Sequence, residues 1–96
     1  MANYFDFDPT KGAANLAKHT VSFAEARSVF LDDRALDLFD EAHSEHEERW
    51  VRIGLSEQGR LLVVVYTVKD VGEDLYFRLI SARCATRRET QAYVER

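Results

Sequence analysis

The stretch Leu61-Leu62-Val63-Val64-Val65-Tyr66-Thr67-Val68 limits the possible folds more than any other part of the chain. Its β-branched residues favour a strand, and it is far shorter than the roughly 20 apolar residues that a membrane span requires. It lacks the apolar-polar alternation of a strand with one wet face, so it predicts a central strand buried on both sides. A chain of 96 residues, 46% of them hydrophobic, can build one modest core around such a strand, and the expected organisation is a single domain over 1–96.

The flanking segments supply the partners. Tyr4-Phe5-Asp6-Phe7 alternates and reads as a short first strand, stopped by Asp8-Pro9, an N-cap followed by a proline at the first helical position. From Pro9 to about His19 the spacing predicts a helix with Ala13, Leu16 and Ala17 toward the core and a polar stripe of Lys11, Asn15 and Lys18. Ser22-Phe23-Ala24-Glu25 has capping-box spacing and predicts a second helix that buries Phe23, Ala26 and Phe30. Ala35 to Asp40 is an expected edge strand, Glu41 to Glu48 a polar loop, and Trp50 to Leu55 a strand with Val51, Ile53 and Leu55 on one face. Beyond the central run and a turn at Val71 to Asp74, Leu75 to Ala82 alternates with Leu75, Phe77 and Leu79 inward. Thr86-Arg87-Arg88-Glu89 repeats the capping-box pattern and opens a last helix. Strand, two helices, four strands and a helix predict an α+β domain with an antiparallel sheet.

The net charge of −4 conceals a strong polarity. Between Asp32 and Glu48, eight acidic residues face one arginine, a net −7. Tyr76 to Arg96 carries five arginines against two glutamates, a net +3. The overall acidity therefore does not exclude nucleic acid, because a local basic field is what meets phosphate. Cys84, alone, can form no internal disulfide, and the N-terminus lacks the layout of a signal peptide, so the expected location is the cytoplasm.

Two blocks resemble a known family. Phe5-Asp6-Phe7-Asp8-Pro9 with Lys11, Asn15-Leu16-Ala17-Lys18-His19, Val21-Ser22-Phe23 and Glu25-Ala26 is similar to the N-terminal signature of the BrnT toxins. Gly59-Arg60-Leu61, Val64-Val65-Tyr66-Thr67 and Arg78-Leu79-Ile80-Ser81-Ala82-Arg83-Cys84-Ala85-Thr86 with Glu89 and Tyr93 is similar to its C-terminal signature. Phe7 stands where the family commonly has Trp, and Thr20 where it commonly has Gly, a residue suited to an αL helix stop. The resemblance implies a RelE-like fold and the toxin of a type II toxin–antitoxin system, a metal-independent ribonuclease that blocks translation by cleaving mRNA. It also implies a BrnA-like ribbon-helix-helix antitoxin, operator DNA bound only through that antitoxin, and a heterotetrameric complex. No cofactor and no membrane partner is expected.

Metal-free RNA cleavage needs a base for the 2′-hydroxyl proton, cations for the phosphorane and a proton for the leaving oxygen. His19, of a side-chain type whose unperturbed pKa of ~6.5 leaves both forms available near neutral pH, is the leading acid–base candidate, and Arg83 its leading partner at a strand-to-helix junction. Lys18 and Arg78 are further catalytic candidates for holding phosphate, although simple alternation puts positions 78 and 83 on opposite faces. Lys11, Asn15, Tyr66, Arg87 and Arg88 are candidate RNA contacts. Each also has a plainer reading: a helix-end histidine that meets the dipole, a solvated lysine stripe, a core tyrosine. His43 and His46, three apart among carboxylates, suggest a metal site, but a solvated acidic loop that meets the antitoxin or repels RNA accounts for them better, and no metal is expected. Two alternatives to catalysis stand: a module that binds RNA without cutting it or acts as a co-repressor through its antitoxin, and an orphan structural domain.

Overall fold

The computed structural model describes residues 2–45 and 47–96. A strand β1 (Asn3–Asp6) leads into helices α1 (Pro9–His19) and α2 (Phe23–Ser28), the latter continued by a 3₁₀ turn at Val29–Leu31. Strands β2 (Leu36–Phe39), β3 (Glu48–Leu55), β4 (Leu61–Val71) and β5 (Asp74–Cys84) follow, with a second 3₁₀ turn at Glu41–His43, and α3 (Arg87–Glu95) ends the chain. The five strands form one sheet in the order β1-β5-β4-β3-β2. The β-branched run is its middle strand, as expected. The sheet is mixed, because β1 pairs parallel with β5, a correction to the all-antiparallel expectation. No helix among the described residues is long and apolar enough to cross a membrane.

The caps are where local chemistry places them. Asp8 accepts from the Thr10 amide, Ser22 from the Glu25 amide, and Thr86 and Glu89 form a complete capping box. The core gathers on the side of the sheet that carries α1 and α2: Leu62, Val64 and Tyr66 of β4 and Leu79 and Ala82 of β5 pack with Val21, Phe23, Ala26 and Val29. Phe5, Phe30 and Phe77 extend it through stacked and edge-on ring contacts.

α1 turns a different face to this core than its apolar spacing predicts. Gly12 and Asn15 are its buried residues, whereas Leu16 is 50% exposed. At Gly12 the helix comes so near the residue after β1 that an added Cβ would lie 3.1 Å from the Phe7 ring, a contact tight enough that the ring would have to give way. Asn15 is therefore not on an outer polar stripe. Its amide nitrogen donates to the Val21 and Ala82 carbonyls at 2.9 and 2.8 Å, and its oxygen accepts from the Ala82 N–H at 3.1 Å. Because β1 pairs only with Leu75 to Arg78, the rest of β5 lacks a neighbour on that side, and the Asn15 amide pairs with Ala82 there as a strand would.

β5 contains an irregularity that decides where its arginines point. Tyr66 pairs with Leu79 but Val65 pairs with Ser81, so Ile80 is an extra residue without a partner, a β-bulge. The bulge shifts the alternation by one. Arg78 lies opposite Thr67 and Arg83 opposite Val63, both odd positions of β4, so the two arginines share the sheet face away from α1 and α2. That corrects the expectation that they face opposite ways.

Candidate active site

Arg83 leaves β5 just before α3 and is held by that helix. Its terminal nitrogens donate to both Glu89 oxygens at 2.7 and 2.8 Å, a bidentate pair, while Glu89 also accepts from the Thr86 amide. The Arg83 guanidinium, with help from the cap amide, holds the Glu89 carboxyl down at about 2. A group so depressed stabilises the fold above the ordinary carboxylate pKa and loses that contribution as pH falls through its folded value. Arg83→Ala is accordingly expected to move Glu89 back toward the ordinary value near ~4.3, read by NMR titration of its side-chain carbonyl; an unmoved Glu89 would show that the cap alone sets it.

His19 closes α1 on the other side of the same strand end. The following Thr20 adopts the left-handed conformation, φ 59 and ψ 26, that favours glycine. A β-branched residue there is strained, and three contacts hold it: its N–H donates to the Leu16 carbonyl, its hydroxyl to the His19 carbonyl, and its own carbonyl accepts from Arg60. Arg60 also pairs with buried Glu25 and reaches Cys84 Sγ at 3.9 Å. Among the described residues no hydrogen bond or ion pair joins His19 to Arg83.

The remaining candidates separate. Lys11 and Lys18 are exposed along α1, and Arg87 and Arg88 are exposed in the first turn of α3. Arg78 meets Asp6 at 3.2 Å with both side chains largely in water. Asn15 is removed from the RNA contacts by its burial. Tyr66, 5% exposed, is likewise a core residue; burial first, and then the Asp37 carboxylate that accepts its hydroxyl at 3.0 Å, push its pKa up. A cleft of about 660 Å³ lies on this helical side between Phe5, Arg27, Phe30 and Arg52. The Arg52 guanidinium there is already bound to Val29, Asp32 and Asp37.

One group escaped the sequence reading. Arg49 of β3 is opposite Thr67, and Thr67 is opposite Arg78, so a row of side chains crosses three strands on the face that carries Arg83. The polar loop folds over the end of this row. Ser44 Oγ accepts from the Arg49 amide at 2.9 Å and donates to the Asp40 carbonyl at 2.6 Å, and Asp40 N–H donates to the Arg49 carbonyl at 2.8 Å. His43 Nδ1 lies 3.0 and 3.1 Å from the two Asp40 oxygens. The acidic composition of the segment masked this arrangement, since Asp40, Ser44 and Arg49 are linked by folding and have no recognisable spacing. His46 lies outside the described residues, and among those described no three metal-ligating side chains converge.

Residues 7–89 match the family described as the ribonuclease toxin, BrnT, of type II toxin–antitoxin systems. The fold matches the 1.1 Å crystal structure of the Brucella abortus ribonuclease toxin, BrnT, with a TM-score of 0.62 and 24% identity, covering 91% of this chain and 100% of that one. Comparison with curated proteins gives no significant match. With residues 7–89 covering most of both signature blocks, the chain belongs to the BrnT family of ribonuclease toxins of type II toxin–antitoxin systems.

Proposed function

We propose that this protein is a metal-independent endoribonuclease that cleaves mRNA to stop translation and is neutralised by a BrnA-like ribbon-helix-helix antitoxin, through which alone the complex, a heterotetramer, contacts operator DNA. The observation that carries the reading is the bulged strand, which sets Arg78 and Arg83 on the same sheet face as Arg49. Guanidinium groups on a shared face can hold successive phosphates and offset the charge that grows on the phosphorane. The 2′-oxygen attacks the adjacent phosphorus, its proton passes to a base, and the P–O5′ bond breaks. The 5′-oxygen takes up a proton, leaving a 2′,3′-cyclic phosphate and a 5′-hydroxyl. His19, with Lys18 beside it, is the acid–base group supplied by the N-terminal signature, and Arg83 its cationic partner.

The test is cleavage of end-labelled RNA in EDTA by antitoxin-free protein. Wild type is expected to cut, Arg83→Ala to lose about 10²-fold, and the His19→Ala, Arg83→Ala double variant to fall to background. Equal cleavage by wild type and double variant would overturn the catalytic assignment. The bidentate Glu89 pair, which occupies both Arg83 terminal nitrogens, favours a second reading, an RNA-binding module without chemistry. RNA would then remain intact and binding would weaken steeply with salt.

A further inference from the structure

Two buried polar side-chain atoms have no hydrogen-bond partner among the described residues, Arg49 Nε and Thr67 Oγ1. Both residues line the same small cavity, about 330 Å³, together with Ala42, His43, Glu45 and Glu47. A buried donor without an acceptor is costly, and these two lie closed to solvent on residues that line one cavity, where an occupant that brings acceptor oxygens satisfies them once the side chains turn outward. The rim has the opposite character: the Glu45 and Glu47 carboxylates accept, and His43, whose Nδ1 is engaged by Asp40, presents Nε2 as an acceptor when neutral.

We infer that this cavity is a ribonucleotide subsite, in which Arg49 and Thr67 donate to a phosphate of the RNA chain and His43, oriented by Asp40, exchanges the proton of the neighbouring 2′-hydroxyl. The inference rests on the ribonuclease reading for its choice of ligand and assigns that site further residues. A ribonucleotide satisfies both halves of the cavity, because its phosphate supplies acceptors to the floor and its 2′-hydroxyl a donor to the rim. DNA lacks the second. Strands lie about 4.8 Å apart, so the Arg49 and Arg78 backbones are roughly 10 Å apart with Thr67 between them, while the Arg78 guanidinium turns the other way, to Asp6 of β1, and leaves the cavity to Arg49 and Thr67. Val63 and Thr67, which face Arg83 and Arg78, are about 13 Å apart along β4, so the Arg83 end meets a different phosphate of the same strand.

The experiment titrates a 2′-O-methyl trinucleotide, which cannot be cleaved, and its natural ribose counterpart against wild type and variants, by calorimetry for binding and gel assay for cleavage. Arg49→Gln is expected to weaken binding of both oligonucleotides roughly ten-fold and to lower the salt slope by about 0.7. Thr67→Val has a more diagnostic signature: the isosteric change removes an unpartnered hydroxyl, so the melting temperature of the free protein stays level or rises while binding weakens. His43→Gln is expected to leave binding of the methylated oligonucleotide within two-fold and to cut cleavage by about 10²-fold. Unchanged binding in Arg49→Gln and Thr67→Val overturns the subsite, and unchanged cleavage in His43→Gln overturns its proton role; wild-type cleavage in either case leaves the ribonuclease reading standing. Conversely, binding that depends on Arg49 and Thr67 without any wild-type cleavage keeps the phosphate site and removes both the proton role and the ribonuclease.

Discussion

Arg60→Ala is expected to cost the protein about 3 kcal/mol of stability, a large share of the margin of a domain this small. Glu25 is 2% exposed, and its carboxylate is held by two Arg60 nitrogens and by Ser56 Oγ at 2.7 Å. Removing the arginine leaves a buried negative charge with one hydroxyl donor. The figure stands at the lower end of the range for broken buried pairs because the Arg60 side chain is 34% exposed and already partly hydrated. The Arg60 hydrogen bonds hold the Glu25 carboxyl below the usual range. The pair therefore stabilises the fold above the ordinary carboxylate pKa, and its contribution fades as pH falls through the depressed folded value. The gap between wild type and variant in urea unfolding should be full at pH 7 and narrow in acid. A difference under about 0.5 kcal/mol at pH 7 would mean that water replaces the guanidinium at no cost. Arg60 also holds the Thr20 carbonyl, so the variant should loosen the turn behind His19 as well.

Asn15→Ala is expected to be comparably damaging, at about 3 kcal/mol, since it strands the Val21 carbonyl and both polar groups of Ala82. Asn15→Asp separates this account from simple loss of volume. The introduced carboxylate keeps the acceptor for the Ala82 N–H but sets negative charge against two carbonyl oxygens, so at neutral pH it should be the less stable of the two variants. Thermal melts check the order, with roughly 4–8 °C expected per kcal/mol for a domain of this length. Asp equal to or better than Ala would show that the two N–H donations to carbonyls matter little.

Asn15 also shows where sequence reading reaches its limit. The bounds of α1 were legible because Asp8, Pro9 and the basic last turn are local signals, and the capping box of α3 and the β-branched middle strand were legible for the same reason. Which face of α1 turns inward was not, because Gly12 and Asn15 are chosen by the closeness of β1 and by the unpaired side of β5, two facts of topology. Strands β4 and β5 extend past their apolar runs, to Val71 and Cys84, because each supplies the other's hydrogen bonds where side chains give no alternation to follow. For the candidate site, Arg78 and Arg83 were readable as residue types and His43 only as part of a polar loop, while Arg49 was hidden by the acidic residues around it.

The extra residue at Ile80 makes the length of β5 matter as much as its composition. Were Ile80 paired in a regular ladder instead of bulged out, simple alternation would carry Arg83 into the apolar layer and turn Ala82 outward with the composition of the strand unchanged. A residue gained or lost in a turn such as Gly72-Glu73 leaves the alternation of the ladder intact, but one gained or lost among the paired residues of β5, outside the bulge, turns the side chains beyond it to the other surface. Divergence in this part of the protein should therefore proceed by substitution at constant spacing.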